Sequence, residues 1–282
     1  DYYNVSLKDL RKKLLESKNF TFLKKNINNL ETINGEFDIA INLAAQAGVR
    51  VKKEKEHLYQ SSNVIGFRSF CNFCKKNKIK KIIYASSSSV YSDGGLGKCN
   101  ELTTSLKPKS SYGISKLLNE DYATRFLNKH DTSIIGLRFF SVYGPFGRPD
   151  MAYYSFTDSL KKKKIITLYN EGNMLRDMTY IDDVVDGILG AINYVRNSKN
   201  KIKNEIFNLG NDKPIKTSEL LRKIELYLNQ RAITKIEYSE NESLMTHADI
   251  TKAKNLLGYD PKVSFDEGII KFLEWYKDYE NL

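Results

Sequence analysis

Apolar residues occur along the chain in two alternating patterns, short continuous runs that predict strands and longer stretches at helical spacing that predict helices. Short apolar runs predict buried strands at residues 20–23, 37–43, 82–85 and 133–139. Longer stretches with apolar residues at helical spacing predict helices at residues 7–17, 57–77 and 112–129. Such alternation is typical of a parallel sheet covered by helices on both faces.

The pattern becomes looser after Pro149, which indicates a second, smaller lobe. Further strands are predicted at residues 165–168 and 205–209, and further helices at 182–195, 217–229 and 266–279. The Gly- and Pro-rich segment 143–149 is the predicted boundary. We therefore expect an α/β fold, with a doubly wound parallel sheet in residues 1–148. Residues 149–282 are expected to form mainly a smaller α/β lobe, with some return to the sheet.

The composition is that of an ordinary globular protein. Of 282 residues, 41% are hydrophobic and 28% are charged. No apolar run reaches the roughly 18 residues of a membrane-spanning helix, and no signal-peptide pattern is present. We expect a cytoplasmic protein without a membrane span.

The net charge of +11 does not by itself indicate a nucleic-acid partner. Only 10 of the 45 basic residues are arginine, and the other 35 are lysines spread along a chain rich in Asn and Ile. No zinc-finger or RNA-binding signature is present. The charge is more simply a general bias toward lysine, so no nucleic-acid partner is expected.

The cysteines and histidines do not predict a metal site. Cys71 and Cys74 lie in an apolar helical stretch and are predicted to be core residues, and the third cysteine is Cys99. A second cysteine pair is missing from the sequence, and its three histidines are scattered. Neither a metal site nor a disulfide framework is expected.

Tyr112 and Lys116 are the leading candidates for chemistry. Four residues apart on a predicted helix, they share one face. A lysine ammonium beside a phenol favours the phenolate and lowers a pKa that is usually about 10. Such a tyrosine can take a proton from an alcohol near neutral pH. The alternative is a solvated helix face, since a lysine-rich chain with 18 tyrosines forms this spacing readily by chance.

A cluster of serines, residues 86–89, strengthens the first interpretation. It follows the predicted strand at 82–85 and precedes the Tyr112 helix. Open α/β sheets bind their ligands at the carboxyl ends of the strands, where these hydroxyls are expected to lie. The alternative is a serine-rich loop.

With these residues in view, the chain resembles the extended short-chain dehydrogenase/reductases of the nucleotide-sugar epimerase/dehydratase group, and within it the UDP-glucuronate 4-epimerases. The resemblance is carried by motifs at residues 1–8, 43–50, 84–91, 112–116, 137–145, 147–151, 176–183 and 248–253. It implies a Rossmann-like NAD-binding domain followed by a nucleotide-sugar-binding lobe.

The resemblance implies a catalytic role for four residues. Tyr112 as phenolate is expected to remove the proton of the sugar 4-hydroxyl, while the C4 hydride passes to NAD⁺. Lys116 is expected to bind the nicotinamide ribose. Ser87 is expected to bind the reacting oxygen, and Ser89 the nearby sugar substituent. The 4-keto sugar then turns and takes the hydride back on its other face.

Further contacts follow from the same resemblance. Besides Tyr112 and Lys116, the NAD-binding residues are expected to be Asn26, Ile27, Leu43, Ala44, Ala45 and Phe139. The substrate-binding residues are expected to be Ser88, Ser141, Arg148, Tyr169, Arg176 and Asp249. Arg176 matches a diphosphate-binding arginine. For two of these residues a purely structural role is the alternative to substrate binding. Arg148 can support the Gly/Pro turn in which it lies, and Tyr169 can be a packing residue.

The serines also bear on the choice of sugar. The 4,6-dehydratase relatives carry an Asp-Glu pair where this chain has Ser88 and Ser89, and the decarboxylase relatives carry a Glu at the Ser89 position. Small neutral hydroxyls suit a uronate carboxylate, which a neighbouring Glu would repel. UDP-glucuronate is therefore the expected substrate, and a UDP-hexose or UDP-N-acetylhexosamine is the alternative.

One departure from the family concerns the cofactor. The Gly-rich phosphate loop is absent from these residues, as is the acidic residue expected after the second strand. We expect the sequence to lack about 35 N-terminal residues and the first two strands of the sheet. The rival interpretation is an inactive fragment or pseudoenzyme that binds a nucleotide sugar. The resemblance also implies a homodimer formed through the helices predicted at 57–77 and 112–129.

Overall fold

The computed structural model describes residues 2–49, 53–91, 97–198, 200–202, 204–239 and 243–280. Asp1, the first residue of the motif at 1–8, and Arg50, the last residue of the motif at 43–50, lie outside the described residues. In chain order the strands are β1 (Ala40–Asn42), β2 (Lys81–Ser87), β3 (Ser133–Phe139), β4 (Ser141–Tyr143), β5 (Ile166–Tyr169), β6 (Leu175–Tyr180), β7 (Glu205–Leu209), β8 (Pro214–Lys216) and β9 (Thr234–Glu237). The α-helices are α1 (Val5–Leu14), α2 (Gly66–Lys76), α3 (Ser111–Lys129), α4 (Ala152–Lys161), α5 (Ile181–Asn197), α6 (Thr217–Leu228), α7 (Thr251–Leu257) and α8 (Phe265–Glu280).

The main sheet is parallel and confirms the predicted fold class. Its order is β1-β2-β3-β7, so the last strand comes from the second half of the chain. The central strands β2 and β3 are buried almost throughout because their apolar runs face helices on both sides. Their carboxyl ends, at Ser87 and Phe139, therefore lie at the same edge of the sheet.

The second half of the chain builds a separate apolar cluster. Strands β4, β6 and β8 form one small sheet, and β5 pairs with β9. Helices α4, α6 and α8 contribute most of the buried residues there, many of them aromatic. Tyr153 and Phe272, for example, pack edge to face with ring centroids 4.7 Å apart.

Two predicted strands differ from the structure. Residues 20–23 form no strand, and Phe20, Phe22 and Leu23 are exposed, because no neighbouring strand among the described residues pairs with them. The strand predicted at 37–43 is shortened to β1, and Phe37 instead packs on Phe73, with ring centroids 5.7 Å apart.

Other elements have no sequence prediction. Helices α4 and α7 and strands β4, β6, β8 and β9 are short or carry polar residues at buried positions, which hides their apolar period. The helix predicted at 57–77 begins with a π-helical segment, Tyr59–Ile65, that runs directly into α2. No helix of the described residues is long and apolar enough to span a bilayer.

Candidate active site

A cavity of about 1470 Å³ opens at the carboxyl ends of β2 and β3 and extends toward the second apolar cluster. Ligands of open α/β sheets bind at this edge. The cavity brings together most of the residues singled out from the sequence. Its lining includes Leu43, Ala45, Ser87, Ser88, Ser89, Tyr112, Lys116, Phe139, Ser141, Arg148, Tyr169 and Arg176.

Four of the predicted residues do not line this cavity. The exposed Asn26 side chain accepts a hydrogen bond from the backbone of Asn28, at 2.9 Å, and Ile27 packs toward Gly66. Ala44 donates its backbone N–H to Asn42. Asp249 accepts from Asn100 and from the backbone of Thr251, so its carboxylate holds the start of α7.

The start of α3 places Tyr112 close to the serine cluster. Ser110 caps the helix by accepting a hydrogen bond from the backbone N–H of Gly113, at 3.0 Å. A Cβ added at Gly113 would overlap the backbone carbonyl oxygen of Ser89. Glycine at this position thus permits the close approach of helix and serine loop.

Consecutive residues at the end of β2 are tied to one face of α3. The Lys116 ammonium donates to the carbonyl oxygen of Ala85 at 2.9 Å. The Ser86 hydroxyl donates to the Glu120 carboxylate at 2.5 Å, and the Ser87 side chain hydrogen-bonds the Tyr112 phenol. The strand end and the helix are therefore held as one unit around the phenol oxygen.

The pKa of the Tyr112 phenol is raised in this structure, which corrects the expectation of a lowered value. Burial raises it, whereas the Arg148 guanidinium and the Ser87 hydrogen bond lower it. The Lys116 nitrogen lies 5.8 Å from the centre of the Tyr112 ring. The Lys116 nitrogen donates to the carbonyl oxygen of Ala85 and not to the phenol oxygen. The charge that lowers the pKa of the Tyr112 phenol in this structure is therefore the Arg148 guanidinium.

Lys116 itself is strongly affected by burial. Its side chain is buried, and desolvation lowers its pKa to about 8. Among the described residues it makes no ion pair. An ammonium has three N–H donors, of which one is directed to Ala85, so donors remain for hydroxyl groups of a ligand.

Arg148 lies on the loop after β4 and faces the same cavity. Its Nη2 atom is 3.3 Å from Oδ2 of Asp150, and that oxygen also accepts the Tyr2 hydroxyl at 3.0 Å. Both Arg148 and Asp150 retain about 30% side-chain exposure, with 29% and 32% respectively. The guanidinium is thus oriented but still accessible from the cavity.

Tyr169 and Arg176 line the same cavity from the second half of the chain. Tyr169 ends β5, and Arg176 lies on β6. The Arg176 guanidinium donates to the carbonyl oxygens of Leu175 at 3.0 Å and Ser243 at 2.7 Å. A guanidinium that lines this cavity is the donor type that a phosphate group requires.

The residues present fit the nicotinamide end of a dinucleotide cofactor. Lys116 offers ammonium donors for ribose hydroxyls, and Ala45 and Phe139 line the adjoining wall. Because the donor set is built from buried groups at the carboxyl edge of a parallel sheet, these features define a Rossmann-like protein of the short-chain dehydrogenase/reductase type.

The chain belongs to the NAD dependent epimerase/dehydratase family, whose model matches residues 8–210. NAD is the cofactor of this family. An uncharacterised protein of Methanocaldococcus jannaschii is 41% identical, over 98% of this chain and 85% of that protein.

Two relatives carry names that state a reaction. UDP-glucuronate 4-epimerase 4 of Arabidopsis thaliana is 38% identical, over 99% of this chain and 68% of the plant protein. The crystal structure of UDP-glucuronic acid 4-epimerase from Bacillus cereus, in complex with UDP-glucuronic acid and NAD, is 30% identical with a TM-score of 0.87. The match covers 98% of this chain and 87% of that one.

Several residues at the site have no sequence prediction. Tyr2 and Arg11 line the cavity from the residues before α1 and from α1, although neither has a role predicted from the sequence: Tyr2 lies in a matched motif and Arg11 in a predicted helix. Glu120 and Arg138 lie buried behind Ser86. Charged residues in an apolar run, such as Arg138 within β3, are the signal that could have identified this pair.

Proposed function

We propose that this protein interconverts UDP-glucuronate and UDP-galacturonate by NAD-dependent 4-epimerisation through a 4-keto intermediate. The observation that carries the proposal is the convergence of Ser87, Tyr112 and Lys116 with Arg148 in one cavity. The printed names of the Arabidopsis thaliana and Bacillus cereus relatives support the choice of sugar.

In this mechanism Tyr112 is the general base and then the general acid. Its oxygen accepts the proton of the sugar 4-hydroxyl and later returns a proton to the same oxygen on C4. When bound beside Lys116, the cofactor would accept the C4 hydride in its oxidised form and return it in its reduced form. Ser87 holds the sugar oxygen by a hydrogen bond, and Lys116 holds the ribose of the cofactor. No net oxidation of the sugar occurs.

The cavity is larger than the pocket of a single small molecule, as a site that takes both the nicotinamide end of NAD and a nucleotide sugar requires. Its volume of about 1470 Å³ exceeds the roughly 300–1,000 Å³ of ordinary small-molecule pockets. Arg176 is the proposed diphosphate ligand and Tyr169 the partner of the uracil ring. With the diphosphate held at one end, the keto sugar can rotate at the other.

Arg148 and the serines are proposed to select an acidic sugar. Ser88, Ser89 and Ser141 offer neutral hydroxyls that can donate to a carboxylate, and Arg148 offers a guanidinium. A firmly held carboxylate also protects the 4-keto uronate, a β-keto acid, from losing CO₂. A neutral UDP-hexose would leave these donors partly unused.

The test is to incubate the protein with NAD⁺ and UDP-glucuronate and to measure UDP-galacturonate by chromatography. UDP-glucose and UDP-N-acetylglucosamine serve as competing substrates. We expect Tyr112→Phe to lower kcat by about 100-fold or more, since proton transfer contributes about 10²–10⁴-fold. Tyr227→Phe, on the surface of α6, is the matched control.

Two results would contradict the proposal. Faster epimerisation of a neutral hexose than of the uronate would assign the protein to the UDP-hexose alternative. Binding of UDP-glucuronate without any turnover in the presence of NAD⁺, by a chain that also contains the Gly-rich phosphate loop, would instead favour the pseudoenzyme.

A further inference from the structure

The loop that carries Arg148 is held from both sides by the N-terminal segment of the chain. On one side, the Arg11 guanidinium donates to the carbonyl oxygen of Phe146 and, at 3.3 Å, to that of Gly147. On the other side, the Tyr2 hydroxyl donates to Oδ2 of Asp150. The contacts therefore lie just before and just after Arg148 in the loop.

The Tyr2 contact bears directly on the charge that faces the cavity. Oδ2 of Asp150 accepts the Tyr2 hydroxyl at 3.0 Å and lies 3.3 Å from Nη2 of Arg148. A hydrogen bond to that oxygen fixes where the Asp150 carboxylate lies, and the carboxylate in turn fixes the Arg148 guanidinium. Tyr2 thus helps to set the position of Arg148 in the cavity.

The Arg11 contact stabilises a backbone conformation that the loop would not otherwise favour. Phe146 has a φ of 57°, in the left-handed region that non-glycine residues rarely adopt. Its ring packs on Trp275, with centroids 5.0 Å apart, and its carbonyl oxygen points to Arg11. Arg11 is itself braced by donating to the Tyr3 hydroxyl at 2.6 Å.

We propose that Tyr2 and Arg11 are positioning residues that set the preference for an acidic sugar, because they hold Arg148 accessible to a carboxylate in the cavity. The inference rests on the proposed function. A cation fixed in advance loses little conformational freedom when it binds an anion, so its selectivity depends on the contacts that fix it. Arg148 also lowers the pKa of the Tyr112 phenol, so a displaced Arg148 affects the base as well.

The experiment compares binding of UDP-glucuronate and UDP-glucose to the NAD-loaded protein by isothermal titration calorimetry. Tyr2→Phe keeps the ring but removes the hydroxyl, and Arg11→Met keeps most of the length but removes the charge. We expect each to reduce the ratio of the two affinities about 10-fold, the effect of losing one charge-assisted hydrogen bond. UDP-glucose binding should change less than about threefold.

Controls separate positioning from damage to the fold. Lys12→Met removes a neighbouring cation of α1 that lies over the Phe22 ring and does not contact the loop, so it should leave the ratio unchanged. Arg11→Lys should restore part of the preference, because its ammonium can again donate to at least one of the two carbonyl oxygens. If Arg11→Met does not fold, Tyr2→Phe alone decides the matter.

The outcomes also separate this inference from the proposed function. If the unaltered protein does not prefer UDP-glucuronate, both are wrong. If it prefers UDP-glucuronate and Tyr2→Phe retains the full preference, only the positioning role is wrong. A parallel loss of affinity for both ligands would likewise overturn the selectivity role.

Discussion

At the scale of single residues, the buried charge of Lys116 lowers the stability of the folded protein, although the same charge is proposed to bind the cofactor. Desolvation lowers its pKa to about 8, whereas a lysine in an unfolded chain titrates near 10.4. Between about pH 8 and pH 10 the unfolded state therefore binds more protons, and stability rises with pH. Below that window both states are protonated, and the cost of burying the ammonium is fully present.

We therefore expect Lys116→Met to stabilise the protein near neutral pH while abolishing catalysis. The gain should be roughly 1–3 kcal/mol, since each pKa unit corresponds to about 1.4 kcal/mol and the hydrogen bond to Ala85 is lost. It should shrink toward zero as the pH rises to about 10, because the neutral amine no longer carries the penalty. Urea unfolding of both proteins across this range is the measurement.

Lys129→Met, at the exposed end of the same helix, is the control for this experiment. It should change stability by less than about 0.5 kcal/mol at any pH. A Lys116→Met protein that is less stable than the original at neutral pH would contradict the explanation by desolvation.

At the scale of elements, a buried ion pair joins α3 to the middle of the sheet. The Arg138 guanidinium on β3 binds the Glu120 carboxylate through two nitrogens, at 2.9 and 2.7 Å. Glu120 also accepts from Ser86, and Arg138 donates to the Tyr91 hydroxyl at 2.8 Å. Strands β2 and β3 are thereby tied to the helix that carries Tyr112.

Breaking this pair should be costly, whereas replacing both partners should cost less. We expect Glu120→Gln to destabilise the protein by about 3–5 kcal/mol, because Arg138 remains as a buried cation without its counter-charge. The double variant Glu120→Leu/Arg138→Met should be less destabilised than the sum of the single variants. Chemical denaturation measures all of them.

The exposed pair of Asp121 and Arg125 on the same helix provides the comparison. Asp121→Asn should cost less than about 1 kcal/mol because the charges are solvated. An equally small effect of Glu120→Gln would show that water already screens the buried pair.

The elements that the sequence predicts best are those with a clear apolar period. Strands β2, β3 and β7 lie where the pattern places them, because each contains a short apolar run that is buried in the main sheet. The strand predicted at 20–23 fails because strand formation depends on a partner that the local sequence does not supply. Strand β6 is missed because buried Asp177 and Thr179 interrupt its apolar pattern.

The site follows the same logic. Motifs on one stretch of chain, such as Tyr112 with Lys116, can be found from the sequence. The direction of the Tyr112 pKa cannot, because it depends on how deeply the phenol is buried and on Arg148, which lies on another element. Contacts between distant segments, such as Tyr2 with Asp150, have no local signal at all.

At the scale of the whole molecule, two adjacent helices leave apolar side chains in solvent. Ile65, in the π-helical segment before α2, is 47% exposed, and Ile114 and Leu118 on α3 are 47% and 43% exposed. The π-helical segment packs directly against α3. We propose that this face is the contact of a homodimer, because an exposed apolar patch on packed helices favours self-association.

Leu118→Lys should convert such a dimer to monomers, since it places a charge in the contact that would otherwise be apolar. Light scattering coupled to size-exclusion chromatography measures the mass. Leu102→Lys, at an apolar residue that is 85% exposed elsewhere, should leave the mass unchanged. A monomeric starting protein would contradict the proposal.

The pairing of β3 with β7 constrains the order in which the molecule can form. Ile135 lies beside Glu205 in the register of that pair, so the outer strand of the main sheet follows the segments that carry Arg148 and Arg176 in the chain. During synthesis, the strand that flanks β3 emerges only after the loop of Arg148 and the wall of Arg176 have left the ribosome. The main sheet, with the cofactor-binding edge proposed for it, is therefore complete only after residues of both halves of the chain have been made.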